Sequence, residues 1–503
     1  SGQATFNSDK DANMAAENIG NLRTIKTLAP SVGATDTINT HAGHDTVLGG
    51  AGGDIINTSD GNDIVLGDNG QAAFDISELL QWIQTSDPAV GDSDHLLLGD
   101  GNDIALGGAK SDYINVKPTD PSVLQGTDTG ADIVLGDNGR IDLHGSSTIV
   151  DTAQATDPTI GAADYIFTDA GDDVVIGGFG PDVIHTDAND DTILGDSGYA
   201  KFTSSGDLSQ LSSDLTLIGQ GTAATNVGDN DTIVTGSGDD VALGGYGTDY
   251  INVTNDDNRT AIADTGNDIL IGDNATAIFN ATLITDSNAR QDQITTIATL
   301  HGNNDYIYSS LGKDILLGGQ GIDTLTSGSG DAQDADVLGD IILGDMGQAT
   351  FATNGNGRID NLKLIQVTSL DTSNSVGGND IITSGKGRDV VLGGNASDTI
   401  NTHAGNDVIV GDSGQATFNP TNNQLVNIQT IDPTQGATDT INTHADHDTV
   451  LGGAGGDIID TADGDDIVLG DNGQAAFRDD GTTISITTSD PDVGAADTIH
   501  TQN

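Results

Sequence analysis

Apolar and polar positions along the chain follow a nine-residue beat. Aspartates that precede an apolar pair stand nine apart at Asp36, Asp45, Asp54 and Asp63, and again at Asp164, Asp173, Asp182 and Asp191. Two residues after each lies an aliphatic: Ile38, Val47, Ile56 and Val65 in the first set, and Ile166, Val175, Ile184 and Ile193 in the second. One inward residue per nine is not a helical period. It predicts a short strand followed by a glycine-rich turn, repeated many times.

Four such units make a block, restarting at Asp36, Asp94, Asp164, Asp231, Asp305, Asp380 and Asp439, with a further start at Asp497. The remaining aspartates in phase are Asp103, Asp112 and Asp132; Asp240, Asp249 and Asp268; Asp314, Asp323 and Asp340; Asp389, Asp398 and Asp407; and Asp448, Asp457 and Asp466. A fifth unit without the aspartate follows each block, as in "GDNGQAAF" at 67–74, "GDSGYAKF" at 195–202 and "GDSGQATF" at 411–418. There Ala72, Ala200 and Ala416 take the aspartate's place and Phe74, Phe202 and Phe418 the inward place. These units keep another carboxylate at Asp68, Asp137, Asp196, Asp273, Asp345, Asp412 or Asp471, which either completes a metal site or caps a turn.

One continuous solenoid over 1–503 is therefore expected, all-β and elongated. Its cassettes run approximately over 36–93, 94–163, 164–230, 231–304, 305–379, 380–438 and 439–496, with partial ones at 1–35 and 497–503. The beat breaks only between Asp112 and Asp132, Asp249 and Asp268, and Asp323 and Asp340, as a loop grafted onto a turn would break it. Variable segments after the alanine units read as β-hairpins at 351–367 and 477–488, projecting from the side of the rod. Residues 74–84, "FDISELLQWIQ", read as a short helix whose Trp82 packs the excursion against the body. Three coils per cassette are expected.

Composition sharpens this picture. Of 77 acidic residues only Glu17 and Glu78 are glutamate, and aspartate is the acid of tight turns and of cations held in them. A net charge of −62 excludes nucleic acid and disfavours anionic membranes as partners. Charge and low aromatic content alone would also fit disorder, but the regular spacing opposes that. No apolar run is long enough to span a membrane. The absence of Cys fits an extracellular protein. The chain begins at "SGQATFN", within an alanine unit, and stops just after a cassette has begun, so either it continues or copies stack end to end.

"GGAGGDIIN" at 49–57 resembles the RTX nonapeptide, glycine-glycine-x-glycine-x-aspartate-x-apolar-x, and matches it at every fixed position. "TSDGNDIVL" (58–66) and "THAGHDTVL" (40–48) keep only the Gly-x-Asp and the apolar residue. The resemblance implies a parallel β-roll with Ca2+ between stacked turns, about one ion per turn, held by the aspartates above and by backbone carbonyls. Residues 18 apart would face each other, pairing Asp36 with Asp54 and Asp45 with Asp63. One buried aliphatic per nine ordered residues cannot offset the backbone entropy, so the cation is needed for folding.

No zinc-protease signature is present, and the histidines, as in "THAGHD" (His41, His44) and "THADHD" (His444, His447), read as exposed turn residues rather than a transition-metal site. The expected function is non-enzymatic: a calcium-dependent structural repeat of a bacterial surface, an adhesin stalk or a self-assembling filament or sheath, secreted unfolded by the type I route. Its partners would be calcium and further copies, joined end to end or laterally. Residues 36–74 and 439–477 differ only at Gly43/Asp446, Asn57/Asp460, Ser59/Ala462 and Asn62/Asp465, the duplication of a tandem array. The alternatives are the calcium-folded module of a secreted protease, lipase or epimerase, and an ice-binding solenoid, which lacks its row of turn threonines.

Overall fold

The computed structural model describes residues 2–6, 22–28, 30–75, 77, 79–125, 128–145, 149–218, 227–279, 292–297, 302–328, 336–352, 363–370 and 377–502. The chain forms two compact units, Ser1–Asp231 and Thr232–Asn503, divided within a residue of a cassette boundary. Each is built from the same three kinds of sheet.

In the first unit, strands of two or three residues after every second aspartate stack as a parallel sheet. Its register places Ile38 opposite Ile56, Ile56 opposite Leu96, Leu96 opposite Ile114, Ile114 opposite Ile166 and Ile166 opposite Ile184. The alternate aspartates begin a second parallel sheet, in which Val47, Val65, Ala105, Val134, Val175 and Ile193 form the matching ladder. The two ladders face each other and are buried, Ile56, Val65, Ile166 and Val175 all at 0% exposure. The second unit repeats this, with Ile307–Leu325–Ile382–Ile400–Ile441–Ile459 in one sheet and Leu270–Leu316–Ile342–Val391–Ile409–Val450 in the other. The parallel β-roll and the pairing of residues 18 apart are thus present as expected.

The two parallel sheets are not equivalent. Strands of the first have an exposed or half-buried outer face, as in Thr37–Asn39 and Ile55–Asn57. Strands of the second are buried on both faces, as in Ile104–Gly108, Val174–Gly178 and Ile315–Gly319. The reason lies in a third, antiparallel sheet that covers them. Alanine units and the segments after them form hairpins: Gly70–Phe74 with Leu80–Thr85, and Gly139–Leu143 with Val150–Ala155. Neighbouring hairpins also pair with one another, Ile141 lying opposite Ile83 and Ala200 opposite Ala153.

This arrangement corrects four expectations. The hairpins at 477–488 and around 351–367 exist, with the tip at 353–362 outside the described residues, but their strands join a shared sheet instead of standing apart as barbs. A lone hairpin is marginal in water, whereas edge-to-edge pairing satisfies its backbone and buries one face. None of the described residues of 74–84 is helical: Leu80, Ile83 and Thr85 are buried in a strand. Trp82 is half-buried on the opposite face, with the Arg140 guanidinium 4.6 Å from its ring centroid. In the alanine units it is Ala72, Ala200 and Ala416 that point inward at 0% exposure, while a bulge leaves Phe74 and Phe202 half-buried. Because the alanine unit leaves the roll to become a hairpin arm, each cassette adds two rungs to the parallel sheets, not three coils. At about 4.7–4.9 Å per rung a cassette advances about 10 Å.

Of the three interruptions, the first is a small hairpin, Val116–Lys117 against Asp120–Leu124, and the second is closed by a bridge from Val253 to Ala261. Both lie on turns, as a graft requires. Among the described residues no helix is long and apolar enough to cross a membrane.

Candidate metal centres

Each turn delivers its aspartate to the first residue before a strand, and the backbone carbonyl of that aspartate accepts from the strand one rung on: Ile55 N–H donates to Asp36 O and Ile64 N–H to Asp45 O, each at 2.9 Å. The side chain continues the pattern. Asp36 N–H donates to Asp54 Oδ1 and Asp45 N–H to Asp63 Oδ1, both at 2.7 Å.

Every phase aspartate lies on such a ladder. In the first unit one ladder runs Asp36, Asp54, Asp94, Asp112, Asp164, Asp182 and Asp231, at 2.6–2.8 Å per step. Its companion runs Asp45, Asp63, Asp103, Asp132, Asp173 and Asp191, at 2.6–2.9 Å. In the second unit Asp249, Asp305, Asp323, Asp380, Asp398, Asp439, Asp457 and Asp497 form one ladder at 2.8–3.0 Å. Asp240, Asp268, Asp314, Asp340, Asp389, Asp407, Asp448 and Asp466 form the other at 2.9–3.1 Å.

Along a ladder each accepting aspartate thus gives Oδ1 to a backbone donor and has Oδ2 left for another role. In Asp54, Asp94, Asp112, Asp164, Asp182, Asp305, Asp323, Asp398, Asp439 and Asp457 this atom is buried without a hydrogen-bond partner. An uncompensated buried carboxylate is costly, so the arrangement calls for a cation. Its surroundings supply the remaining hard oxygens. A Cβ on Gly49 would lie 2.2 Å from Gly67 O and 2.6 Å from Asp54 Oδ2, and one on Gly67 would lie 2.3 Å from Asp94 Oδ2 and 2.6 Å from Gly107 O. Glycine keeps open a cradle between carboxylate and carbonyl oxygens that any side chain would fill. A donor set made of carboxylate and carbonyl oxygen, with no sulfur or imidazole, fits Ca2+.

The electrostatics agree. Burial raises Asp54 to about 6 from the usual 3.8. Burial, then the charges of Asp68 and Asp54, raises Asp94 to about 9. Asp164 is pushed well above the ordinary range by burial and by Asp137, Asp182 and Asp112. Each ladder repels itself unless protons or metal ions neutralise it.

A family profile described as RTX calcium-binding nonapeptide repeat (4 copies) matches residues 33–71, 163–199, 226–259, 301–331, 375–409, 385–417 and 436–474. The chain carries RTX calcium-binding repeats. No curated protein matches it.

The RTX turns do not use all the sequence-predicted carboxylates alike. Those of the alanine units are engaged by backbone donors, four of them from two turns. Asp68 accepts from Asp92 N–H at 3.2 Å and from Ala109 N–H at 2.6 Å. Asp137 accepts from Ala162 and Phe179, at 3.3 and 2.5 Å, and Asp345 from Gly378 and Asn395. Asp412 accepts from Ala437 and Ala454. Asp196, Asp273 and Asp471 accept from Asp229, Gln320 and Ala495 N–H, respectively. The geometry displays the turn cap, and Asp273 in addition keeps a buried Oδ1 without a partner, as the ladder aspartates keep Oδ2.

The turn histidines also act locally. His44 Nδ1 accepts from Asn62 N–H at 2.8 Å and His447 Nδ1 from Asp465 N–H at 2.9 Å, while His403 and His444 stack at 5.2 Å between ring centroids. Among the described residues the close three-ligand groups are Asp103–Asp128–Asp132 and Asp314–Asp336–Asp340, neither with a histidine. Asp128 and Asp336 escaped the nine-residue reading because they lie out of phase, four residues before a ladder aspartate. That offset, recurring as Asp264 before Asp268, was the signal available in the sequence.

Proposed function

We propose that this RTX chain is a calcium-dependent extracellular structural repeat region, the stalk of a bacterial surface adhesin or a self-assembling surface filament, which leaves the cell unfolded and folds in external calcium. The observation that carries it is the row of buried, unpartnered Oδ2 atoms against glycine cradles in both units. Such rows oppose folding where calcium is scarce and support it where calcium is abundant. About one ion per ladder turn follows from this reading.

A structural role is supported by the near-identity of 36–74 and 439–477 and by hairpins that tie neighbouring cassettes together. The hairpins differ in sequence from cassette to cassette, so their outer face is where lateral contacts with further copies would form. Ice binding finds no support: the outward row of the first parallel sheet reads Thr37, Ile55, His95, Tyr113, Tyr165 and Val183. A calcium-folded module beside an enzyme shares the same folding chemistry, and the sequence flanking the chain in its gene distinguishes it from a stalk.

The test is far-UV circular dichroism in excess EDTA and through a calcium titration. The chain gains its β-signal cooperatively at about 10⁻⁴–10⁻³ M calcium. Full β-signal in a metal-free sample at neutral pH overturns the reading.

A further inference from the structure

Two of the three interruptions of the beat bring an extra aspartate into the roll, and the ordinary repeat offers no counterpart for it. Asp128 and Asp336 each stand four residues before a ladder aspartate, at the second turn position, where "GGAGGD" has glycine. Both are buried, at 1% and 2% exposure. Carboxylates at the same position in uninterrupted turns behave differently: Asp169 and Asp187 adopt positive φ (69° and 64°), the first half-buried and the second exposed. Residue type alone therefore does not decide whether a carboxylate at this position turns inward.

Inside, Asp128 meets Asp103 and Asp132, and Asp336 meets Asp314 and Asp340, each trio offering oxygens within 4.8 Å of one another. Two ligands of a single Ca2+ can stand up to about 4.6–5.2 Å apart, twice the metal–oxygen distance. Asp128 Oδ1, Asp132 Oδ2 and Asp103 Oδ2 are buried and unpartnered, as are Asp314 Oδ2 and Asp340 Oδ2. Asn115 Nδ2 donates to Asp128 Oδ2 at 2.7 Å and holds that carboxylate in its orientation.

The remaining interruption, the second along the chain, supplies an internal control. Asp264 occupies the equivalent position and is buried, but it accepts from Asn252 Nδ2 and from Ser310 N–H, the latter at 3.1 Å. Among the described residues it does not form a comparable trio.

We propose that the inserted loops between Asp112 and Asp132 and between Asp323 and Asp340 convert one turn in each unit into a three-carboxylate site for a hard divalent cation, Ca2+, which fills before the ordinary turns. This rests on the proposed calcium-dependent reading and adds an order of occupation to it. A third negative charge in a site closed to water raises affinity for the ion, and charge count is a principal determinant of calcium affinity in oxygen sites. Each unit thereby acquires one tight ion about which the remaining rungs assemble.

Equilibrium dialysis of the full chain against radioactive calcium in calcium-buffered solution tests it. Wild type should hold two ions per chain at least about tenfold more tightly than the rest. Asp128→Asn with Asp336→Asn should abolish that class, each single variant should leave one ion in it, and Asp264→Asn should leave both. The β-signal at saturating calcium is recorded in parallel. If the double variant stays unfolded there, the single variants decide. A wild type without a two-ion tight class, or single and double variants that keep both tight ions, overturns this inference alone. A wild type that binds no calcium overturns the proposed function itself.

Discussion

Replacing Asp164 separates the two jobs that each ladder carboxylate is argued to perform. Its Oδ1 accepts from Asp112 N–H at 2.7 Å, and its Oδ2 is buried without a partner beside Gly136, where a Cβ would lie 2.5 Å away. Asp164→Asn keeps an acceptor for Asp112 but removes the charge. In calcium it should weaken one site. At about 100 times the dissociation constant a site contributes about 2.7 kcal/mol, so losing it costs up to that amount. In EDTA the same variant should fold no worse than wild type, because it removes a buried carboxylate crowded by Asp137, Asp182 and Asp112. Asp164→Ala loses the ion and also leaves the Asp112 N–H unsatisfied, a further cost of about 1–3 kcal/mol. Urea unfolding followed by circular dichroism, in about 10 mM calcium, orders the three proteins. Wild type should be the most stable, the asparagine variant intermediate and the alanine variant least stable. If Asp164→Asn matches wild type in calcium, Oδ2 is not a metal ligand and the site geometry has been misread.

Three further outcomes are expected. Burial raises Asp103 to about 7 and Asp94 to about 9 in the metal-free fold, so that fold binds more protons than the unfolded chain. Its stability is then greatest below about pH 4 and is lost as pH rises through about 7–9, while calcium must displace those protons. Metal-free samples should therefore gain β-signal on acidification and the calcium midpoint should rise as pH falls; a pH-independent midpoint contradicts this. Gly67→Ala should abolish the response of its turn, because the methyl would sit 2.3 Å from Asp94 Oδ2, and native-state hydrogen exchange should show local loss of protection at neighbouring rungs. Asp68→Ala should destabilise the fold by about 1–3 kcal/mol per unsatisfied donor at saturating calcium, without changing the number of bound ions counted by dialysis.

Repetition made much of this protein legible from its residues alone. The nine-residue beat identifies the inward row Ile38, Ile56, Ile166 and Ile184 and the aspartate that faces its counterpart 18 residues on, because a parallel roll repeats the same contact at every rung. The inequality of the two parallel sheets was also written in the chain, though the beat conceals it: "TIN" is apolar only at its centre and "IIN" ends on a polar residue, while "IVL" and "VVI" are apolar throughout and so have two faces to bury. What covers the second face was decided only in three dimensions. Ile83 meets Ile141 and Trp82 meets Arg140 across more than fifty residues of variable sequence, and no local pattern in "FDISELLQWIQ" reports a strand partner so distant. Tertiary structure likewise decided that Asp68 caps turns at Asp92 and Ala109 while Asp54 keeps an oxygen free, since both are aspartates among glycines and only the neighbouring coil shows which oxygen a backbone donor reaches. The same holds for Asp128 and Asp336: their distance from the beat hid them, and only the fold shows each beside two ladder aspartates.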